Sequence, residues 1–133
     1  MKVVLDTNVL VSGVFWRGPS RDILDLWAQE RIDVVVSPSI LKEYDRVLEE
    51  MERKKSTDVV EEWRGFIIRQ SILIYPEGKF RLCRDPHDDK FLHCAISAGA
   101  KLLISGDKDL LVLKRVSETD IVSPKAFLQM FRH

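Results

Sequence analysis

The chain has 133 residues, 45% of them hydrophobic and 32% charged, with 21 basic and 21 acidic side chains and therefore no net charge. That length suits one domain with a sizeable core, and no apolar stretch is long enough to span a bilayer. Overall charge neither announces nor excludes a polyanionic partner, so any function has to be found in a local site.

Lys2–Leu5 reads as a short apolar strand that delivers Asp6, Thr7 and Asn8 at its end. The connection after it reads as a loop, flanked by Trp16, Arg17 and Arg21. Ser20–Glu30 places Ile23, Leu24 and Trp27 at helical spacing, with Gly18 and Pro19 just before it. Ile32–Val36 is a second strand, closed by the turn-forming "SPS". Ile40, Leu41, Tyr44, Val47, Leu48 and Met51 form a helical stripe. "RKKSTD" ends that helix, and Val59, Val60, Trp63, Phe66 and Ile67 mark the next. Ile72–Tyr75 is a third strand, followed by the loop "PEGKFRLCR". A helix from Pro86 to about Ala98 stops at Gly99, a good C-cap. Leu102–Ile104 is a fourth strand, a helical turn follows "GDKDLL", a fifth strand lies around Ile121, and a last helix starts near Pro124. No internal repeat and no low-complexity segment interrupts the series. Strands alternating with helices imply right-handed crossovers, and so one α/β domain over 1–133 whose parallel sheet of about five strands is covered on both faces.

The two cysteines, Cys83 and Cys94, make no disulfide framework. Because the N-terminus runs straight into a strand, no signal peptide is expected. The expectation is a cytoplasmic protein with both thiols reduced. Cys83, His87, His93 and Cys94 match no usual spacing of zinc ligands.

Sites on open parallel sheets gather at the carboxyl ends of the strands. Asp6 ends the first strand, and Asp107 follows the fourth after Ser105 and Gly106. Each alone is also explained as a turn residue or a helix N-cap. Glu43 lies between Ile40 and Val47 on the apolar stripe, at the border of a buried face. A lone buried carboxylate is costly. Arg46 and Lys42 are conceivable partners that face elsewhere, so a shared cation is the more economical account. In "RDPHDDKFLHCA", Asp85 and Pro86 read as N-cap and N1, and Asp88 falls at N3, where a carboxylate has capping work. Asp89 has none of that kind and shares a face with Leu92 and Ile96, although a first-turn acid also suits the helix dipole. Asp89 is thus the better site candidate, with Asp88 as a helper. Four carboxylates at one sheet edge raise one another's pKa, a conflict that Mg²⁺ or Mn²⁺ removes. A carboxylate-held ion of that type neutralises phosphate oxygens and activates water, which is phosphodiester hydrolysis.

At this point "VVLDTNVLVSG", "SPSILKEYDRVL", "DPHDDKFLHCA" and "LLISGDKDLL" together resemble PIN domains over nearly the whole chain, in order. They are most similar to the single-domain prokaryotic kind found as toxins of toxin–antitoxin pairs, the VapC-like ribonucleases. The resemblance implies a metal-dependent endoribonuclease acting on single-stranded RNA, an antitoxin partner and frequent homodimerisation. It places the family's acidic quartet on Asp6, Glu43, Asp89 and Asp107, with Asn8 and Ser105 as supporting residues. The roles inferred are metal ligation for Asp6, Asp89 and Asp107, and ligation or proton acceptance for Glu43. Asp109 replaces Asp107 if the register there is off by a turn.

Trp16, Arg17 and Arg21 are candidates for stacking on a base or meeting phosphate. Trp27 reads as core. Arg53, Lys54 and Lys55 read as a solvated turn before an RNA clamp, and Trp63 and Phe66 suit either a dimer contact or the core. Three other readings compete. A haloacid-dehalogenase-type phosphatase would use Asp6 and Ser37 but needs an acid where Asn8 stands. A receiver domain needs an acidic pair after the first strand, and none is there. An inactive PIN-like module would bind RNA or an antitoxin without cutting.

Overall fold

In the computed structural model, which describes residues 1–55, 57–78 and 86–132, alternation of strand and helix begins at once. The elements in chain order are β1 (Lys2–Leu5), α1 (Thr7–Phe15), α2 (Pro19–Ala28), β2 (Asp33–Val36), α3 (Pro38–Lys55), α4 (Val59–Gln70) and β3 (Ile72–Leu73). After a 3-10 turn (Pro86–Asp88) come α5 (Asp89–Ala98), β4 (Leu102–Ile104), α6 (Lys108–Leu111), β5 (Arg115–Val116), β6 (Thr119–Val122) and α7 (Pro124–Phe131).

The sheet order is β3-β2-β1-β4-β6-β5. Every pairing is parallel except β5 with β6, so the expected parallel sheet carries one further, antiparallel edge strand. That strand is two residues long, below what alternation can reveal. Ser117, at a positive φ of 56°, turns the chain between the two. From β1 the chain steps outward to β2 and β3, then returns across β2 and β1 to β4 and leaves in the other direction to β6. Right-handed crossovers therefore put α1 to α4 on one face and α5 on the other. Burial agrees: Val3, Val4, Leu5, Val34, Val35, Val36, Leu103 and Ile104 have no solvent exposure, as strands covered on both faces must. The two directions of winding part between β1 and β4.

The segment read as a loop after the first strand is the helix α1. Thr7, Val9, Leu10, Val11, Gly13 and Val14 are all buried, so its apolar residues surround the helix and show no stripe to read. Asp6 caps it through the Val9 amide at 2.9 Å. Gly99 ends α5 in the left-handed conformation, φ 66°, as its position after Ala98 suggested. Trp27 packs edge-on to Phe66 at 4.7 Å between ring centroids, and Phe66 to Trp63 at 5.5 Å. Trp63 and Phe66 are thus partly buried against the core between α2 and α4. Asp85, read as a helix cap, and Cys83 lie outside the described residues.

Candidate active site

Register decides who meets whom. Leu5 stands opposite Ile104, and the Asp6 amide donates to the Ile104 carbonyl at 3.1 Å. The next residues, Asp6 and Ser105, are therefore neighbours at the carboxyl ends of β1 and β4, where the winding of the sheet reverses. Asp6 is only 4% exposed. One carboxylate oxygen accepts from the Val9 amide and the other from the Ser105 hydroxyl, and no cation pairs with it among the described residues. Burial pushes the Asp6 carboxyl above its ordinary value; the Ser105 and Val9 bonds oppose this, and the nearby Asp107 charge adds to it. Ser105, fully buried, also accepts from the Asp107 amide at 2.9 Å, so one hydroxyl fixes both acids.

Asp107 caps α6 by accepting from the Asp109 amide at 2.9 Å. The capping account of this residue is correct, and it does not compete with a role in the site. One carboxylate oxygen each from Asp88, Asp107 and Asp109 lie within 4.8 Å of one another. Oxygens on opposite sides of a Mg²⁺ ion stand about 4.2 Å apart, so the three residues fit a hard divalent cation in both chemistry and spacing. Asp6, Thr7, Asn8, Glu43, Asp88 and Asp107 line a single cleft of about 340 Å³.

Asp88 and Asp89 take positions other than the sequence suggested. Asp88 makes no side-chain cap on α5 and lines the cleft, whereas Asp89, buried at the first position of α5, is not among the described residues that line it. The reason is the 3-10 turn at Pro86–Asp88. It has three residues per turn, so side-chain directions read from an unbroken α-helix do not carry through it.

Glu43 is drawn in by α3, whose Tyr44 hydroxyl bonds the Leu5 carbonyl at the end of β1. Its carboxylate accepts from the Thr7 hydroxyl and pairs with the Lys90 ammonium of α5. Glu43 thus has a salt-bridge partner in place of the shared metal cation expected for it, and that partner is Lys90 of α5 instead of Arg46 or Lys42. Burial would raise the Glu43 carboxyl, but Lys90 and Thr7 outweigh it and hold it below the ordinary range. Neither Thr7 nor Lys90 was expected at the site from sequence. Thr7 sits beside Asp6 and offered a signal, whereas the pairing of residues 43 and 90 has no local trace.

Among the remaining candidates, Asn8 is exposed at the cleft and Arg17 is exposed beside Trp16. Arg21 is engaged internally, donating to the Gly13 and Val14 carbonyls at the end of α1. Ser37 accepts from the Ile40 amide at 3.3 Å and so starts α3, and it is not among the residues that line the carboxylate cleft. His93 bonds the Glu77 carbonyl at 2.6 Å, and Cys94 is buried among apolar groups that push its thiol up to about 12.

Comparison with known proteins gives this geometry a lineage. A protein of Methanocaldococcus jannaschii, named Uncharacterized protein MJ1680, is 34% identical over 144 residues, covering 98% of this chain and 92% of that one. In fold the chain is similar to PAE2754 from Pyrobaculum aerophilum, with a TM-score of 0.63 at 13% identity over 98% of this chain and 88% of that one. It is similar also to VapBC2 from Rickettsia felis, solved bound to a DNA fragment from their promoter. There the TM-score is 0.62 at 16% identity, over 92% of this chain and 98% of that one. The family model for the PIN domain matches residues 2–109, a span that runs from β1 through every acid of the cleft. The chain belongs to the PIN domain family, whose members are generally nucleases.

Proposed function

We propose that the chain is a Mg²⁺- or Mn²⁺-dependent endoribonuclease that hydrolyses single-stranded RNA, and that it is the toxin of a toxin–antitoxin pair. The observation that carries this reading is the close grouping of Asp88, Asp107 and Asp109, with Asp6 lining the same cleft as Asp88 and Asp107, at the point where the winding of the sheet reverses. Asp88, Asp107 and Asp109 would hold the ion, with Asp6 beside them. Bound there, it would neutralise phosphate charge and lower the pKa of water. Ser105 keeps Asp6 and Asp107 in register. Glu43, held ionised by Lys90, is a weak proton acceptor, so its part is to fix Thr7 and the start of α1 against α3. Asp89, the fourth acid of the motif resemblance, supports α5 from its buried first turn. Likeness of fold to VapBC2 supports the antitoxin partner, and a homodimer in the cytoplasm is what the resemblance to single-domain toxins implies.

The test is cleavage of labelled single-stranded RNA by the purified, antitoxin-free chain. Mn²⁺ should support cleavage and EDTA should stop it. Asp6→Asn and Asp107→Asn should each lower the rate at least about a hundredfold. Inactive wild type that still binds the RNA would mean a binding module instead. Release of phosphate from a small phosphomonoester, with RNA left intact, would mean a phosphatase.

A further inference from the structure

Helices α1 and α3 lie side by side, and their two ends differ in charge. At one end the Thr7 hydroxyl meets Glu43 in the carboxylate cleft. At the other, the Lys55 ammonium lies over the Trp16 ring, 4.4 Å from its centroid. Thr7 and Trp16 are nine residues apart, which is about 14 Å along a helix. A second cleft of about 680 Å³ opens there, lined by Val14 and Phe15 of α1, Arg21 of α2 and Lys54 and Lys55 of α3.

Cations in the last turn of a helix also answer its dipole, which would explain Arg53, Lys54 and Lys55 without a ligand. Two observations go further. Lys54 and Lys55 both line the cleft, and neither makes an ion pair among the described residues. The aromatic under Lys55 is also left in solvent, with Trp16 47% exposed while Trp27 is 2% exposed. An uncompensated cationic groove beside an open aromatic face is the combination that holds unpaired nucleotides, phosphate on the lysines and base on the ring.

We infer that the Lys54–Lys55 cleft, together with the exposed Trp16 ring that Lys55 covers at its edge, is a second binding site, for an unpaired base and its flanking phosphates, on a single-stranded nucleic acid whose other end lies in the carboxylate cleft. This rests on the nuclease reading for its orientation, but not for its existence. The strand runs along the α1–α3 seam. Lys55 leaves the ring for a phosphate as a base takes its place.

Binding of the full chain to a labelled, unstructured RNA oligonucleotide in EDTA tests the site without chemistry. Trp16→Ala should weaken binding about tenfold, and Trp16→Phe, which keeps an aromatic face, should restore most of it. The double substitution Lys54→Ala, Lys55→Ala should weaken binding and flatten the slope of log affinity against log salt by about 1.4. Because no 2′-hydroxyl contact is invoked, the same losses are expected on single-stranded DNA. A duplex of the same sequence offers no free base, so Trp16→Ala should leave its affinity unchanged. Wild-type affinity for the single strand in both variants, or an equal loss on the duplex with Trp16→Ala, overturns the inference. Cleavage by wild type with Mn²⁺ is scored on the same RNA. Absent cleavage with a binding loss in the variants sinks the nuclease reading and leaves the site standing. Cleavage with no binding loss does the reverse.

Discussion

Asp6 commits both carboxylate oxygens to neutral donors, the Val9 amide and the Ser105 hydroxyl, in a place where it is almost wholly buried. That arrangement stabilises position more than charge. A carboxyl raised above its unfolded value of 3.8 contributes stability below that pH and loses it as pH rises through the folded value. At neutral pH, without metal, the ionised group is therefore a net cost. Asp6→Asn should melt higher than wild type in EDTA at pH 7.5, with the gain gone below pH 3.8. A lower melting temperature at neutral pH would show that the carboxylate is compensated. Cys94 follows the same logic with a clearer number. A thiol pushed up to about 12 by burial has almost no thiolate at pH 8, so native protein should leave Cys94 unlabelled by a thiol reagent for as long as it stays folded. Peptide mapping after labelling checks this, and fast native labelling at Cys94 would contradict the packing around it.

The Lys90–Glu43 pair ties α3 to α5 across the edge of the sheet, with the side chains 21% and 18% exposed. Replacing Lys90 by Met leaves a half-buried carboxylate facing one hydroxyl. The loss should be about 1–2 kcal/mol, between exposed and buried pairs. Glu43 is held below its ordinary value of 4.5, so the stabilisation exists above pH 4.5 and fades as pH falls through the folded value. Urea unfolding at pH 7 and pH 3 should show the difference between variant and wild type at the first and little at the second. Helix α1 packs as closely on α2. A Cβ at Gly13 would stand 2.7 Å from Leu24 Cδ1 and 2.9 Å from the Ser20 carbonyl oxygen. Gly13→Ala should therefore destabilise by about 1–3 kcal/mol despite alanine's better helix propensity. These two contacts also mark how far the sequence could be read. Amphipathic elements such as α3, with Ile40, Tyr44 and Leu48 buried, announce themselves by period. An all-buried α1 has no period to show, and the 3-10 turn at Pro86–Asp88 shifts the side chains after it. Asp6, Ser105 and Asp107 were legible because strand ends dictate them. Lys90 was not, because its partner is 47 residues away.

For the whole molecule, strand order is what turns dispersed acids into a site. β1 and β4 are adjacent but lead the chain in opposite directions, so the segments carrying Asp6 and Asp107 end beside one another, and the 3-10 turn before α5 brings Asp88 to the same edge. The chain has no net charge, yet these acids are concentrated there, and folding has to hold that repulsion unless a cation joins. An ion that binds only the folded state should then stabilise every element together. The increment is about 2.7 kcal/mol when the free ion stands at a hundred times its dissociation constant. Thermal melting with and without Mn²⁺, reversed by EDTA, measures it. Asp88→Asn and Asp107→Asn should abolish the Mn²⁺ increment. Asp89→Asn should lower stability equally with and without the ion, because Asp89 is buried in the first turn of α5. An increment lost in Asp89→Asn and kept in Asp88→Asn would reverse that assignment, and the 3-10 turn would then not be what selects the ligand. No increment in wild type at millimolar Mn²⁺ would mean that the acids repel one another to no purpose a metal serves.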